Sequence, residues 1–204
     1  MRPLSERWPK PILPVDGRPV VATLLRDLAT AGCGEVTVVT GHLAEQVEEL
    51  LGDGSAFGVR IRYVRQPRAD GSADAVRRTL VAPALVTAAD QVYAPGTLGR
   101  FLDAWGGAPG AVGARVGEPP LDPRIVPAFA EPIGLTGVPL WGLGEPLAPF
   151  LDGLPGPPFE LAEAFGRALA AGVEVRGIVV AGTRDLTHPV DVIRENFPYL
   201  SRPE

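Results

Sequence analysis

Two aspartates have the side chains and the positions to hold a metal ion. Asp90 follows the apolar segment 84–88, and Asp185 lies just after the apolar segment 173–180. Carboxylates at two strand ends can share one Mg²⁺, a hard cation that takes oxygen ligands and keeps substrate phosphates in its remaining positions. The alternative is that each aspartate is a turn or helix-capping residue. Spacing alone leaves both interpretations open.

Lys10 is the second residue whose side chain could take part in chemistry. It is the only lysine among 19 basic residues. The arginine bias, together with 23 Pro and 25 Gly, is typical of a GC-rich coding sequence and has no bearing on function. A compact ammonium on a flexible stem nevertheless differs from a planar guanidinium. The position of this single lysine is therefore worth noting, and chance is the alternative explanation.

The loop that starts at Gln66 has groups suited to a polar ligand. Gln66 carries both a donor and an acceptor, which is what reading a nucleobase edge requires. Gly71 precedes a predicted helix that begins near Ser72, and helix N-termini present free N–H groups to ligands. The alternative is an ordinary loop in which Ser72 caps the helix.

The elements that position these residues alternate between strands and helices. The segment 9–14 is predicted to be extended. Apolar residues at helical spacing predict a helix from Val20 to about Ala31, and buried strands are predicted at 35–39 and 84–88. Val59, Ile61 and Tyr63 alternate with arginines, as in a half-exposed strand. Further elements are predicted at 43–51, 98–105, 111–116, 136–143, 147–151, 159–171, 173–180 and 189–196.

This alternation predicts one α/β domain over residues 1–204, with a Rossmann-like, mostly parallel sheet and helices on both faces. In such sheets ligands bind at the carboxyl ends of strands. That rule directs attention to Thr40, to the loop 66–71 and to Asp90.

Composition limits the classes of function. The chain has 204 residues, 46% of them hydrophobic, and a net charge of −5. An acidic chain of this kind is not expected to coat nucleic acid or a membrane surface. A single cysteine excludes an intramolecular disulfide. The sequence contains neither a signal-peptide pattern nor an apolar run long enough to span a membrane, so we predict a cytoplasmic protein.

Taken together, these segments resemble the sugar-1-phosphate nucleotidyltransferases, the group that includes glucose-1-phosphate thymidylyl- and uridylyltransferases and mannose-1-phosphate guanylyltransferases. Arg2-Pro3-Leu4-Ser5 with Pro9-Lys10-Pro11-Ile12-Leu13-Pro14-Val15 is similar to the second half of the family signature. The segment from Gln66-Pro67 to Gly71-Ser72-Ala73 resembles the base-binding loop, Q-P-x-x-x-G-x-A. Thr136-Gly137-Val138 resembles the sugar-pocket strand, and Arg184-Asp185-Leu186-Thr187 the closing D-x-G-T-P segment.

The resemblance implies an activity and a set of roles. A sugar 1-phosphate would attack the α-phosphorus of a nucleoside triphosphate and release pyrophosphate, with Mg²⁺ as cofactor. Lys10 would neutralise phosphate oxygens, and Asp90 and Asp185 would hold the metal. Gln66, Gly71 and Ser72 would bind the nucleotide, and Thr136, Gly137 and Glu131 would bind the sugar.

Three departures from the family pattern keep alternatives open. The opening strand and its G-G-x-G-T-R loop would precede Arg2 and are missing, so we expect an N-terminally truncated domain in which Met1 is an internal residue of the family pattern. The sugar-side E-K-P appears as Ala130-Glu131-Pro132, without its lysine, and the segment between Val116 and Phe129 is rich in proline. These departures favour a regulatory or partner-binding module that keeps the fold, whereas Lys10, Asp90 and Asp185 favour the enzyme.

A nucleotide-sugar-dependent glycosyltransferase is a third interpretation. Its usual D-x-D metal motif is not visible at Asp90, which Gln91 and Val92 follow. The sequence leaves the nucleotide, the sugar and the oligomeric state open.

Overall fold

The computed structural model of the protein describes residues 4–79, 82–117, 124–127, 135–180, 184–186 and 188–196. The chain divides into two compact units. Unit 1 comprises Met1–Arg65, Ala89–Gly96 and Gly182–Glu204, and unit 2 comprises Gln66–Ala88 and Thr97–Ala181. The prediction of a single domain stays a prediction, as does the strand expected before Arg2.

The helices and strands described in unit 1 are short: α1 (Leu4–Arg7), β1 (Pro14–Val15), β2 (Arg18–Pro19), α2 (Val20–Thr30), β3 (Glu35–Thr40), α3 (Ala44–Leu51), β4 (Arg60–Arg65), and, later in the chain, β6 (Gln91–Val92), β11 (Arg184–Asp185) and α7 (Pro189–Asn196). β3 and β4 pair in parallel. β1 pairs with β2, and β6 with β11, both antiparallel.

Helix α2 forms the apolar centre of unit 1. Val20, Val21, Leu24, Leu25 and Leu28 are buried at the spacing expected of one helical face. The helix ends in a Schellman motif, in which the N–H of Gly32 donates to Ala29 O and the N–H of Cys33 to Leu28 O. Gly32 adopts a φ of +89°, a conformation that glycine takes at little cost.

Unit 2 contains α4 (Ser72–Thr79), β5 (Ala84–Thr87), α5 (Thr97–Trp105), β7 (Gly110–Val116), β8 (Val126–Pro127), β9 (Leu135–Leu143), α6 (Leu161–Ala170) and β10 (Val175–Val179). Its five-stranded sheet has the order β5-β9-β7-β10-β8. β10 runs parallel to β7 and β8, whereas β9 runs antiparallel to both β5 and β7.

Helices cover both faces of this sheet. Leu143 belongs to a buried cluster with residues of α4 and α6, including Leu161 and Phe165. The preceding residue, Gly142, points to the opposite face, because successive residues of a strand alternate. A side chain at Gly142 would come within 2.5 Å of the Trp105 ring of α5. α5 therefore packs on the face opposite to α6.

The predicted α/β class with helices on both faces is confirmed, and most element bounds agree within two residues. The segment 9–14 was predicted as extended, and that was wrong. Lys10–Ile12 forms a turn of 3-10 helix in which Leu13 N donates to Lys10 O. The sequence also did not predict the antiparallel direction of β9.

None of the described helices has both the length and the apolar composition needed to cross a membrane.

Candidate functional site

Lys10 and Asp90 form an ion pair in unit 1. Lys10 Nζ lies 3.8 Å from Asp90 Oδ2, and the two side chains are 35% and 23% exposed. This distance is longer than a hydrogen bond, so the three ammonium donors are not used up by the carboxylate. Both groups thus remain accessible to an incoming ligand.

The pairing of β6 with β11 brings the backbone of Asp185 next to that of Asp90. Asp185 is the register partner of Gln91, and the N–H of Leu186 donates to Asp90 O over 3.3 Å. Paired residues of an antiparallel ladder have Cα atoms about 4.5–5.5 Å apart. The two predicted metal ligands therefore occupy neighbouring backbone positions, although they are far apart in sequence.

The residues at this position suit a magnesium ion that also contacts a phosphate ligand. Mg²⁺ is typically held by one or two carboxylates, with waters and substrate phosphates completing its octahedron. Asp90 offers an accessible carboxylate, and the neighbouring Lys10 ammonium would attract the phosphate as well. Within the described ranges no group of three or more metal-ligating side chains occurs, so a fully protein-built metal cage is not found there.

The predicted base-binding loop lies in unit 2, where it packs on the chain just before α6. Asp70 O accepts a hydrogen bond from Phe159 N, and Ala73 N donates to Phe159 O. Gly71 lies between these two bonds with a φ of +108°. A Cβ on Gly71 would come 2.3 Å from Phe159 O. Glycine is required here both by its backbone conformation and by the close approach of Phe159.

We expect Gly71→Ala to lower the free energy of unfolding by about 2–5 kcal/mol, because it adds a backbone clash to the cost of a positive φ. Gly107→Ala in the same unit is the matched control. Gly107 has a φ of +74°, and a Cβ added there would meet no atom within 4 Å, so we expect a loss of about 1 kcal/mol. Urea denaturation measures both. Equal losses in the two variants would contradict the close contact with Phe159.

Ser72 uses its hydroxyl to join two helices. Its Oγ donates to Glu160 Oε2 and accepts from Leu161 N, both over 2.8 Å. Ser72 thus caps the N-terminus of α6 from the first residue of α4. Its side chain is engaged within the protein, and its role in nucleotide binding stays a prediction.

Gln66 is held by its amide nitrogen. Nε2 donates to Gly71 O over 3.1 Å and to Asp74 Oδ2 over 2.9 Å. The structure therefore brings together the two residues predicted to bind the base, Gln66 and Gly71. It also adds Asp74, which the sequence analysis did not select.

Asp74 is a buried carboxylate, 4% exposed, on the first turn of α4. It accepts hydrogen bonds from Arg78 Nε over 2.6 Å and from Arg77 over 3.3 Å. The spacing to Arg77 and Arg78 is that of helical neighbours and could have identified the ion pairs. The contact with Gln66 depends on the loop conformation, which no local pattern indicates. The hydrogen bond from Arg78, followed by that from Gln66, lowers the pKa of Asp74 from 3.8 to about 2.

This lowered pKa predicts an acid-sensitive contribution to stability. Because the folded-state pKa lies below the unfolded value, ionised Asp74 stabilises the fold above pH 3.8, and the effect is lost as the pH falls towards about 2. The difference in unfolding free energy between wild type and Asp74→Asn should shrink over that interval. The exposed Asp152, which pairs with Arg77 at 3.7 Å, provides the control Asp152→Asn, whose difference should stay small throughout. A wild-type advantage over Asp74→Asn that is undiminished at pH 2 would count against the ion pairs.

The residues predicted to bind sugar lie partly within the described structure. Thr136 and Gly137 are in β9, where Thr136 pairs with Arg115 and Gly137 with Ala114. Thr136 is buried and Gly137 is exposed. Glu131 lies outside the described residues. The sugar-binding role of all three stays a prediction.

Comparisons with known proteins agree with this fold and these motifs. The nucleotidyl transferase family model matches residues 1–105. The N-acetylmuramate alpha-1-phosphate uridylyltransferase of Neisseria meningitidis is 45% identical over 67 residues, which are 33% of this chain and 29% of that protein. The CMP-5'-(3-aminopropyl)phosphonate synthase of Streptomyces rubellomurinus is 37% identical over 134 residues, 62% of this chain and 20% of that protein. The matches thus span less than a third of either relative.

A solved structure shares the fold over the whole chain. A Bacillus anthracis protein assigned as a glucose-1-phosphate thymidylyltransferase, in complex with sucrose, superposes with a TM-score of 0.80. The match covers 100% of this chain and 92% of that one, at 18% sequence identity.

The shared fold defines the class of the chain, an α/β protein. The family match, which covers half of the chain, makes the assignment specific: this chain belongs to the nucleotidyl transferase family, among the sugar-1-phosphate nucleotidyltransferases.

Proposed function

We propose that this protein transfers a nucleotidyl group from a nucleoside triphosphate to a sugar 1-phosphate, giving a nucleoside diphosphate sugar and pyrophosphate. The observation that carries the proposal is the accessible Lys10–Asp90 pair, with Asp185 one register position away. These residues match the family motif. Lys10 and Asp90 form an ion pair, and the backbone of Asp185 lies beside that of Asp90, although the three residues come from separate parts of the chain.

In the proposed reaction a phosphate oxygen of the sugar 1-phosphate attacks the α-phosphorus of the triphosphate. A new phosphorus–oxygen bond forms, and the bond from the α-phosphorus to the bridging oxygen breaks. Pyrophosphate leaves with the electron pair. No protein nucleophile is needed, because the sugar phosphate supplies it; catalysis therefore rests on positioning and on neutralising charge.

Lys10 is assigned to the phosphate oxygens on which negative charge accumulates. Its ammonium is a compact charge with three donors, one side of which faces Asp90. The neighbouring carboxylate orients the ammonium until phosphate arrives. Since the ion pair is partly exposed and lacks a direct hydrogen bond, phosphate can engage the ammonium at little cost.

Asp90 and Asp185 are assigned to a Mg²⁺ ion. When bound, such an ion supplies charge neutralisation and Lewis-acid polarisation of phosphate oxygens. The two aspartates would hold the ion, and Lys10 would contact phosphate oxygens of the same ligand. In unit 2, Gln66 and Gly71 are assigned to the base, and Thr136, Gly137 and Glu131 to the sugar.

A substrate panel tests the proposal. The protein is incubated with Mg²⁺, each of the common ribonucleoside triphosphates and dTTP, and glucose, mannose or N-acetylated hexose 1-phosphates, and products are identified by mass spectrometry. We expect a nucleoside diphosphate sugar from at least one combination. Triphosphate binding without product would favour a regulatory module, and transfer of sugar from a nucleoside diphosphate sugar to an acceptor would favour a glycosyltransferase.

A further inference from the structure

The amide of Gln66 is restricted to one orientation by the groups around it. Both of its N–H donors are engaged, one by Gly71 O and one by Asp74 Oδ2. A carbonyl and an ionised carboxylate can only accept hydrogen bonds. Rotating the amide by 180° would place Oε1 against these two acceptors and leave three oxygens facing one another. The NH₂ group must therefore face inward.

The carbonyl oxygen of Gln66 consequently points away from Asp74. Oε1 has no hydrogen-bond partner among the described residues, and it is not one of their buried unpaired atoms. It therefore reaches solvent as a free acceptor. A ligand that meets Gln66 from that side meets an oxygen and not an N–H group.

Hydrogen bonds from other side chains hold Asp74 in the position that fixes the Gln66 amide. Its Oδ2 receives hydrogen bonds from Gln66 and from Arg78, and its Oδ1 receives one from Arg77. The two arginines keep the buried carboxylate ionised, because they compensate it with charge-assisted bonds. A protonated carboxyl or an amide at position 74 would offer Gln66 a donor as well as an acceptor.

We propose that Asp74 is a positioning residue for base selection: it fixes the Gln66 amide so that Gln66 reads the nucleobase only as a hydrogen-bond acceptor. This rests on the proposed function, in which Gln66 contacts the base. A base that presents an N–H to Oε1 is accepted, and one that presents a lone pair there is rejected. Leaving a polar group unpaired at such a contact costs about tenfold or more in affinity.

A purely structural role for Asp74 predicts something different. Asp74 lies in the first turn of α4, where a negative charge stabilises the helix, and it pairs with two arginines. If that were its whole role, substitution would lower the melting temperature and leave the ranking of nucleotides unchanged. Base discrimination is therefore the property to measure.

The experiment compares Kd values for Mg²⁺ complexes of UTP, dTTP, GTP, CTP and ATP among wild type, Asp74→Asn and Arg77→Gln. In Asp74→Asn the new amide offers Gln66 both an NH₂ and an oxygen, so we expect the affinity ratio between the best and the next base to fall about tenfold. We expect kcat at saturating nucleotide to stay within about twofold and KM for the nucleotide to rise. Arg77→Gln removes a partner of Asp74 without touching Gln66, and should keep the wild-type ranking.

A second variant keeps the test valid if Asp74→Asn misfolds. Asp74→Glu keeps the charge but displaces the carboxylate, so we expect a near-native melting temperature with reduced discrimination between bases. If Asp74→Asn does not melt cooperatively, Asp74→Glu is the variant that tests the positioning role. Wild-type discrimination in a folded Asp74 variant would overturn the positioning role while leaving the proposed function intact. Failure of the wild type to bind any of the five triphosphates would overturn both.

Discussion

Replacing Lys10 with alanine is expected to reduce turnover by about 10²–10³-fold, the loss typical of removing one group that stabilises developing negative charge. The melting temperature should hardly change. The only ion pair of Lys10 in the described structure is partly exposed and spans 3.8 Å. Pairs of that kind contribute about 0–1 kcal/mol to stability. A large loss of turnover in a stable protein would assign the ammonium to the reaction.

Arg60→Ala is the matched control for Lys10→Ala. It removes one positive charge from a shorter surface ion pair, 2.9 Å to Glu35, in the same unit. We expect its turnover to equal that of the wild type. Lys10→Arg should recover only part of the activity, because a planar guanidinium cannot place its charge as a compact ammonium does. Turnover of Lys10→Ala within twofold of the wild type would refute the assignment.

The second large effect is expected for Asp90→Asn. If Asp90 holds Mg²⁺ as proposed, removing its carboxylate should lower kcat/KM about a hundredfold or more and raise the Mg²⁺ concentration needed for half-maximal rate. Asp185→Asn should behave in the same way, since the register places its backbone beside Asp90. Initial rates over a range of Mg²⁺ concentrations measure both effects.

Glu35→Gln serves as the control for the two aspartates, because it also removes one carboxylate from an ion pair of unit 1. Its rate and its Mg²⁺ requirement should match the wild type. An unchanged Mg²⁺ requirement in both Asp90→Asn and Asp185→Asn would contradict a shared metal site.

The longer elements of the fold were predictable because their information is local. The buried residues of α2 recur at helical spacing, and Gly32 marks the end of the helix. The alternation of Val59, Ile61 and Tyr63 with arginines likewise corresponds to β4. These patterns follow from one face of each element being buried.

The short elements that build the site were not predictable in this way. β6 and β11 have two residues each, too few to show a period, and their pairing joins distant parts of the chain. The sequence suggested that Asp90 and Asp185 share one metal ion, but only the pairing of these strands places their backbones side by side. Lys10 was predicted to lie in an extended segment, whereas the structure forms a 3-10 turn there.

In the loop 66–72, too, the sequence identified the residues but not their contacts. Its family motif identified Gln66, Gly71 and Ser72, but the motif does not indicate what surrounds them. The hydrogen bond from Ser72 to Glu160 spans 88 positions, and the requirement for glycine at position 71 comes from Phe159. Asp74 was missed because a carboxylate beside two arginines on a helix is typical of a solvated ion pair. Its burial depends on tertiary packing.

The most direct test of the proposed reaction is the dependence of pyrophosphate release on the sugar phosphate. The protein is mixed with Mg²⁺ and its preferred triphosphate, and pyrophosphate is followed continuously before and after a sugar 1-phosphate is added. We predict negligible release before the addition and, after it, one pyrophosphate per nucleoside diphosphate sugar formed, with both products nearly absent in Lys10→Ala. Release at the same rate without sugar phosphate, or no release with any sugar 1-phosphate tested, would contradict transfer to a sugar 1-phosphate by this chain.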